Sequence, residues 1–149
     1  MSTAKRIVLS SDHAAIDLRQ TLAKHIADKG YEVSDIGPQT PESTHYPKHG
    51  EAAARAVAAG EADLGIILCG TGQGIMMAAN KVKGIRCGVC SEPFSARMTR
   101  EHNNANMLSI GARVVGESLA VEIVDAFLDA EFEGGRHGQR VDMITEIEG

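Results

Sequence analysis

Residues 64–74 read LGIILCGTGQG, and this stretch decides the fold of the chain. Its first half is a continuous apolar run, which is typical of a β-strand buried on both faces. Glycine then stands at positions 70, 72 and 74, where it lets the backbone turn tightly. A helical pattern begins at the last of these glycines. The stretch therefore predicts a buried strand that runs through a glycine-rich turn into a helix.

The same alternation of apolar and amphipathic segments extends to both sides of this stretch. We predict strands over residues 7–9, 31–36, 64–68, 85–90 and 107–110. We predict helices over residues 16–29, 47–60, 74–81, 93–102, 117–128 and 139–148. Strand and helix alternate five times, which implies a parallel sheet with helices on both faces. We expect one domain over residues 1–149, with a three-layer Rossmann- or flavodoxin-like α/β fold and the strand order 2-1-3-4-5.

Composition and charge narrow the classes of function. The net charge is −5 and aromatic residues make up only 3%, which argues against a nucleic-acid binder and against a membrane-surface protein. No apolar run approaches the roughly 20 residues that cross a bilayer, and the first residues lack the apolar stretch of a signal peptide. We therefore expect a cytoplasmic protein with no nucleic-acid and no membrane partner.

The three cysteines are Cys69, Cys87 and Cys90. An odd number in an acidic chain indicates reduced thiols and not a disulfide framework. Cys87 and Cys90 form a C-x-x-C pattern, but a spacing of three within a strand places them on opposite faces. We therefore expect neither a redox pair nor a metal site there.

Polar residues follow the first and third predicted strands. In a flavodoxin-like sheet these strands flank the switch point where ligands bind. Ser10-Ser11-Asp12-His13 follows the first strand, and the glycine-rich turn follows the third. The N–H groups of that turn and the start of the next helix favour an anion, either a phosphate or an oxyanion formed during a reaction. Cys69 at the mouth of the turn is either a buried apolar thiol or a base or nucleophile.

A nucleotide-binding turn is the main alternative. The dinucleotide motif G-x-G-x-x-G needs a third glycine where this chain has Ile75, and the Lys-Ser/Thr ending of a P-loop is absent. Glu92 lies about 20 residues further on, at the position of a ribose-binding acid. The turn therefore matches neither nucleotide motif fully.

A candidate phosphate-binding pair lies at and just before the start of the last predicted helix. Arg136 and Arg140 are four residues apart, so a helix places both on one face. They either bind a phosphate or form exposed ion pairs with Glu131 or Glu133. The Gly134-Gly135 pair separates this helix from the body, and we expect the helix to reach a neighbouring subunit.

Short motifs along nearly the whole chain carry a family resemblance. They are Ser11-Asp12-His13, Thr44-His45-Tyr46-Pro47, Cys69-Gly70-Thr71-Gly72-x-Gly74, Ala78-Ala79-Asn80-Lys81, Cys90-Ser91-Glu92-Pro93, His102-Asn103, Gly111-Ala112-Arg113-Val114 and Gly134-Gly135-Arg136-His137. With them the chain resembles the type B ribose-5-phosphate isomerases, a family that includes allose-6-phosphate and galactose-6-phosphate isomerases.

The resemblance implies a role for each site residue. Cys69 would move the proton between the two carbons, with Thr71 as its partner. His102 would reach across a dimer interface and help to open the sugar ring, with Asp12 assisting. The residues that would hold the enediolate oxygen through their N–H groups are Gly70, Gly72 and Gly74. The residues that would orient the substrate, mainly by its phosphate, are His13, Arg113, Arg136 and Arg140, and Tyr46 and Asn103 would contact it.

The resemblance also implies the reaction and the assembly. We expect aldose–ketose isomerisation, foremost of ribose 5-phosphate to ribulose 5-phosphate, without metal or cofactor, in a homodimer or homotetramer with shared active sites. The family commonly has Asp before the Tyr-Pro pair, where this chain has His45. Three alternatives stay open: an isomerase of four- or six-carbon sugar phosphates (erythrulose-, allose- or galactose-phosphate type), a non-catalytic nucleotide- or phosphate-binding module, and a thiol enzyme with a covalent adduct at Cys69.

Overall fold

Five parallel strands form the centre of the molecule in a computed structural model that describes residues 4–149. The strands are β1 (Arg6–Ser11), β2 (Glu32–Asp35), β3 (Leu64–Cys69), β4 (Cys87–Val89) and β5 (Met107–Gly111). The helices are α1 (Ile16–Asp28), α2 (Tyr46–Ala58), α3 (Gln73–Ala79), α4 (Pro93–Glu101), α5 (Glu117–Asp129) and α6 (Arg136–Glu148), and a 3-10 turn (His13–Ala15) precedes α1. The predicted strand–helix alternation and α/β class are confirmed. None of the helices in residues 4–149 has the length and apolar character to cross a membrane.

The predicted order of the last two strands is wrong. The sheet runs β2-β1-β3-β5-β4, so β5 and not β4 lies beside β3. All five residues of β5 are buried, whereas β4 has only three residues and only Cys87 among them is buried. A fully buried strand suits the sheet interior and a short, half-buried strand suits the edge. The chain therefore leaves β3, skips one position to form β4, and returns to fill the gap with β5.

Two apolar clusters cover the two faces of the sheet. Alternate residues of β1 divide between them, with Ile7 and Leu9 in one cluster and Val8 in the other. Cys87 and Cys90 also fall in different clusters, which confirms that they lie on opposite faces. Burial raises the pKa of both thiols, that of Cys90 to about 11, so both stay protonated at neutral pH.

The ends of the parallel strands form two chemically different borders of the sheet. We call the border at the carboxyl ends of the strands the carboxyl edge, and the border at their amino ends the amino edge. The carboxyl ends of β1, β3 and β5 lie side by side, as the pairing of Cys69 with Gly111 shows. At the opposite, amino edge, the N–H of Gly65 donates to Asn106 O at 3.0 Å. A hydrogen bond joins the end of α4 to the segment before α6 near that edge. In it the N–H of Glu133 donates to Glu101 O at 2.9 Å. These two edges carry the two groups of candidate site residues.

Asp63 ties the first strand to the segment before β3. Its carboxylate accepts from the N–H groups of Lys5 and Arg6 at 3.0 and 2.9 Å and pairs with the Arg6 guanidinium at 3.0 Å. The Arg6 side chain and these N–H groups lower the pKa of Asp63 to about 2. The fold thus favours the ionised carboxylate, and this stabilisation is present above the ordinary pKa of 3.8 and is lost as the pH falls towards 2.

We expect Asp63→Asn to lower the free energy of unfolding at pH 6 by about 1–2 kcal/mol, a value reduced for solvent screening because the carboxyl is a third exposed. The difference from wild type should shrink at pH 3. Urea unfolding at both pH values and one protein concentration measures it. Asp142→Asn, an exposed change on α6, serves as the control. A difference that does not depend on pH would contradict the assignment.

Candidate active site

The two loops predicted to carry the chemistry lie side by side at the carboxyl edge. The N–H of Asp12 donates to Leu68 O at 3.2 Å, one residue before Cys69. Asp12 is buried, and its Oδ1 accepts from the N–H of Ala14 at 3.0 Å, which caps the 3-10 turn. Ser11 Oγ donates to Asp12 O at 2.9 Å. The carboxylate is therefore fixed next to the end of β3.

A fully buried arginine holds the loop after β1 in place. Arg19 in α1 donates to Ser11 Oγ and to Pro38 O, both at 2.7 Å, and its Nε lies 2.9 Å from Asp35 Oδ1. Gly37 packs so closely on the guanidinium that no Cβ would fit there. Our site prediction did not include Arg19. The available signal was a charged residue on the inward face of a predicted helix, which requires buried partners.

The thiol of Cys69 points into the glycine-rich turn. Its Sγ accepts from the N–H of Gly72 at 3.2 Å, and the residue is 5% exposed. Gly72 has a φ of 79°, a left-handed conformation that favours glycine. Within residues 4–149 the N–H groups of Gly70 and Thr71 have no hydrogen-bond partner. The turn thus offers two unused N–H donors beside a thiol at the start of α3.

Two hydroxyl groups hold the turn in shape. Ser109 Oγ in β5 donates to Gly72 O at 2.6 Å, a contact that the sequence did not reveal. The Thr71 hydroxyl is exposed and accepts from the N–H of Gln73 at 3.2 Å, in the first turn of α3. The turn is therefore ordered by the protein's own side chains, which lowers the cost of ordering it around a ligand.

Tyr46 and Arg113 close two sides of the turn. The Tyr46 ring lies directly against Gly74, where a Cβ would overlap it. The N–H of Arg113 donates to Gly70 O at 3.0 Å, and its guanidinium lies over Gly70. His45 is exposed at the N-cap of α2 and makes no capping hydrogen bond with its side chain.

Two histidines lie near Asp12 at the carboxyl edge. His13 Nδ1 accepts from the N–H of Thr44 at 3.1 Å, so a neutral His13 carries its proton on Nε2, which can donate outward. His49 Nε2 lies 2.9 Å from Thr44 Oγ1. Burial and nearby Lys48 lower the pKa of His49, and the Asp12 carboxylate opposes that shift. His49 was not among our predicted site residues, although it faces the same loop.

The remaining predicted residues form a separate group near the amino edge. His102 and Asn103 follow α4, and Arg136 and Arg140 lie four residues apart in the first turns of α6. The six residues of β3 span about 16–20 Å between the two edges. The structure therefore does not bring these four residues to Cys69 within one chain. Neither arginine forms an ion pair within residues 4–149.

His102 has two partners that the site prediction did not include. Its ring stacks on that of His137, with centroids 4.1 Å apart and planes 8° apart. Glu133 Oε1 lies 3.7 Å from His102 Nε2 and 3.5 Å from His137 Nε2. Burial, His102 and Arg136 lower the pKa of His137, while Glu133 opposes that shift. The C-terminal part of the chain therefore adds a compact imidazole–carboxylate cluster.

The fold and the carboxyl-edge loops define an α/β protein of the Rossmann-like class that presents a thiol and main-chain donors at its switch point. The family model described as "Ribose/Galactose Isomerase" matches residues 7–144, and the chain belongs to this family. The family resemblance drawn from the sequence motifs is thereby confirmed.

Relatives within the family are named sugar-phosphate isomerases. The chain is 51% identical over 144 residues to ribose-5-phosphate isomerase B of Escherichia coli K12, covering 97% of each chain. It is 44% identical to D-erythrulose-4-phosphate isomerase of Pectobacterium atrosepticum, covering 95% and 94% of the two chains.

Solved structures show the same similarity. Ribose-5-phosphate isomerase B of Clostridium thermocellum is 52% identical with a TM-score of 0.95, covering 96% of this chain and 97% of that one. The Mycoplasma genitalium enzyme with bound ribulose-5-phosphate is 39% identical with a TM-score of 0.93, covering 99% and 98%.

We expect Arg19→Ala to lower the free energy of unfolding by about 3 kcal/mol, because it removes a buried charge from three polar partners. Urea unfolding measures the effect. Arg55→Ala is the matched control, since Arg55 forms an exposed pair with Glu51 in α2 and should cost less than about 0.5 kcal/mol. Equal effects of the two changes would refute the anchoring role of Arg19.

Proposed function

We propose that this chain catalyses the aldose–ketose isomerisation of a sugar phosphate, ribose 5-phosphate to ribulose 5-phosphate, by proton transfer through an enediolate. The observation that carries the proposal is the Cys69 thiol at the end of β3, beside the unused N–H groups of Gly70 and Thr71. The family and its named relatives support the substrate class. The whole chain acts as one isomerase domain, and we place it in the cytoplasm.

The proton transfer follows from the chemistry of a carbon next to a carbonyl group. Cys69, as thiolate, removes the proton from C2 of the open-chain aldose, and the electron pair moves onto the carbonyl oxygen as the enediolate forms. The Cys69 thiol, whose proton exchanges in part with solvent, then protonates C1, while Thr71 helps to move a proton from the C2 oxygen to the C1 oxygen. A placed base contributes roughly 10²–10⁴-fold to the rate.

The glycine-rich turn stabilises the intermediate. Negative charge develops on the substrate oxygen as the C–H bond breaks, and the unused main-chain N–H groups of Gly70 and Thr71 donate to it, whereas the N–H of Gly72 is already bonded to Cys69 Sγ. One donor of this kind contributes about 3–4 kcal/mol to transition-state stabilisation. The turn is already ordered by Ser109 and Thr71, so little reorganisation is needed.

The substrate ring must open before this step, and the residues for it lie on both edges of the sheet. Asp12 stands at the carboxyl edge, whereas His102 stands near the amino edge. We infer that a second copy supplies His102 and Asn103. A twofold dimer joins the two edges in this way and forms two identical sites. A homotetramer would be a pair of such dimers.

The phosphate group is held by cations from both subunits. His13 and Arg113 border the turn on one chain, and Tyr46 covers its side. Arg136 and Arg140 of the partner subunit bind the phosphate. Their guanidinium groups are available for it, because neither forms an ion pair within residues 4–149. This arrangement also gives α6 its role as the helix that reaches the partner.

A four-carbon substrate is the second candidate, because the chain is 44% identical to a D-erythrulose-4-phosphate isomerase. A six-carbon substrate is a further candidate, because the chain is 42% identical to the galactose-6-phosphate isomerase subunit LacB of Clostridium acetobutylicum. His45 stands at the rim beside Tyr46 and adds a group that can contact the sugar. We favour the five-carbon substrate because of the 51% identity to ribose-5-phosphate isomerase B.

We expect wild type to convert ribose 5-phosphate with a higher kcat/KM than four- and six-carbon aldose and ketose phosphates, with deuterium uptake from heavy water. Cys69→Ala should lower kcat by about 10³-fold or more and change KM little, because the thiol acts in the proton transfer. Cys87→Ala, which removes a buried thiol from β4, is the control. Retained deuterium uptake in Cys69→Ala would disprove the role of this thiol.

Mixing two inactive variants tests the shared site. Dimers that combine Cys69→Ala with His102→Asn contain one site with both residues intact. Random exchange of subunits in an equal mixture should therefore restore about a quarter of the wild-type activity. The measurement is activity after mixing and incubation, with each variant alone as control. No recovery, despite exchange seen by native mass spectrometry, would show that the site lies within one chain.

A further inference from the structure

The cluster of His102, Glu133 and His137 has a second capacity besides its place in the isomerase. Its ligand atoms, the two imidazole nitrogens and one carboxylate oxygen, all lie within 4.8 Å of one another. We propose that these three residues form a binding site for a divalent transition-metal ion of the zinc type. The bound ion is an inhibitor that occupies His102, not a cofactor of the isomerisation.

The donor set matches the chemistry of zinc. Two histidines and one glutamate are a known three-residue set for this ion, with a fourth position left for water. Two ligands of a tetrahedral zinc ion lie about 3.3 Å apart, given bond lengths of about 2.0–2.1 Å. Glu133 Oε1 is already 3.7 Å from His102 Nε2 and 3.5 Å from His137 Nε2.

Closing the site requires the stack of the two imidazole rings to open. The two rings are nearly parallel, so their nitrogen lone pairs must tilt towards each other before both can bind one ion. The His102 side chain is 38% exposed and has room to rotate, whereas that of His137 is 11% exposed and stays in place. We therefore expect the His102 ring to move onto an ion first held by Glu133 and His137.

The backbone holds the three ligands together in advance. The N–H of Glu133 donates to Glu101 O at 2.9 Å, which joins the segment before α6 to the last turn of α4. The N–H of His102 donates to Met98 O at 2.8 Å, and that of His137 donates to Gly134 O at 3.1 Å. The ligands thus come from two helix ends that are already joined, which reduces the ordering cost of binding.

Neighbouring cations limit the affinity. Arg136 and Arg140 lie in the same helix end as His137, and one carboxylate offsets only part of the charge of a divalent ion. We therefore expect a dissociation constant of about micromolar size, well above that of a structural zinc site. The same cations favour an anion, such as hydroxide or phosphate, as the fourth ligand.

The functional consequence rests on the proposed isomerase mechanism. A metal ion on His102 Nε2 takes the lone pair that would serve ring opening. It also fixes the ring away from the substrate of the neighbouring subunit. The enzyme should lose activity when the ion binds and regain it when a chelator removes the ion.

Cobalt titration of the untagged protein tests the site independently of catalysis. In the Cys69→Ala variant we expect one cobalt ion per chain, with the visible absorption of a four-coordinate ion and no sulfur charge-transfer band. Glu133→Gln should weaken binding at least about tenfold, as should His137→Gln. Glu131→Gln, two residues away and exposed, is the matched control and should bind as the parent does. If Cys69→Ala binds no cobalt, the proposal is overturned, even if the wild-type chain does bind it.

Zinc inhibition tests the consequence. Zinc should inhibit ribose 5-phosphate turnover reversibly, and the half-inhibiting concentration should rise at least about tenfold in Glu133→Gln, relative to that variant's own activity without zinc. An unchanged half-inhibiting concentration would overturn the inhibitory role. Cobalt binding in a protein without any isomerase activity would refute the proposed function alone and leave the metal site standing.

Discussion

Parallel pairing of β1 and β5 with β3 is the constraint on which the rest of the structure depends. Since all three strands run in one direction, the segments that follow them emerge at a common edge. Asp12, Cys69 and Arg113, far apart in sequence, thereby become neighbours. The same pairing sends the end of α4 to the other edge and separates His102 from the thiol. The direction of the strands thus brings nine of the thirteen predicted site residues together and leaves the other four apart.

In the proposed dimer, the two groups of candidate site residues on opposite edges of one chain give subunit association a chemical purpose. A single subunit has a thiol, a carboxylate and main-chain donors, but its arginine pair and stacked histidines lie about one strand length away. Association would therefore do more than stabilise the fold, because each subunit lacks what the other presents. The exposed apolar side chains of Met143, Ile144 and Ile147 on α6 agree with the proposal that this helix packs on a partner subunit.

Much of the fold and part of the site could be predicted from the sequence. Hydrophobic periodicity marks the strands and helices, because the spacing of apolar residues along the chain shows which face of each element is buried. It does not encode which strand lies beside β3, since that choice depends on the relative burial of β4 and β5 in the folded sheet. The loop after β3 was recognisable from its glycines. Arg19 and Ser109 were missed, because their partners lie in other elements of the fold. Glu133 was considered only as an ion-pair partner of the arginines, because its proximity to His102 depends on how α4 and the segment before α6 meet.

The contact between Tyr46 and Gly74 couples the rim of the candidate site to α3. A Cβ at position 74 would overlap the Tyr46 ring in its present position. The ring is 41% exposed, so a side chain at position 74 would be accommodated by swinging the ring outward. A change in the first turn of α3 would in this way reorient an aromatic side chain at the mouth of the glycine-rich turn, without any substitution of Tyr46 itself.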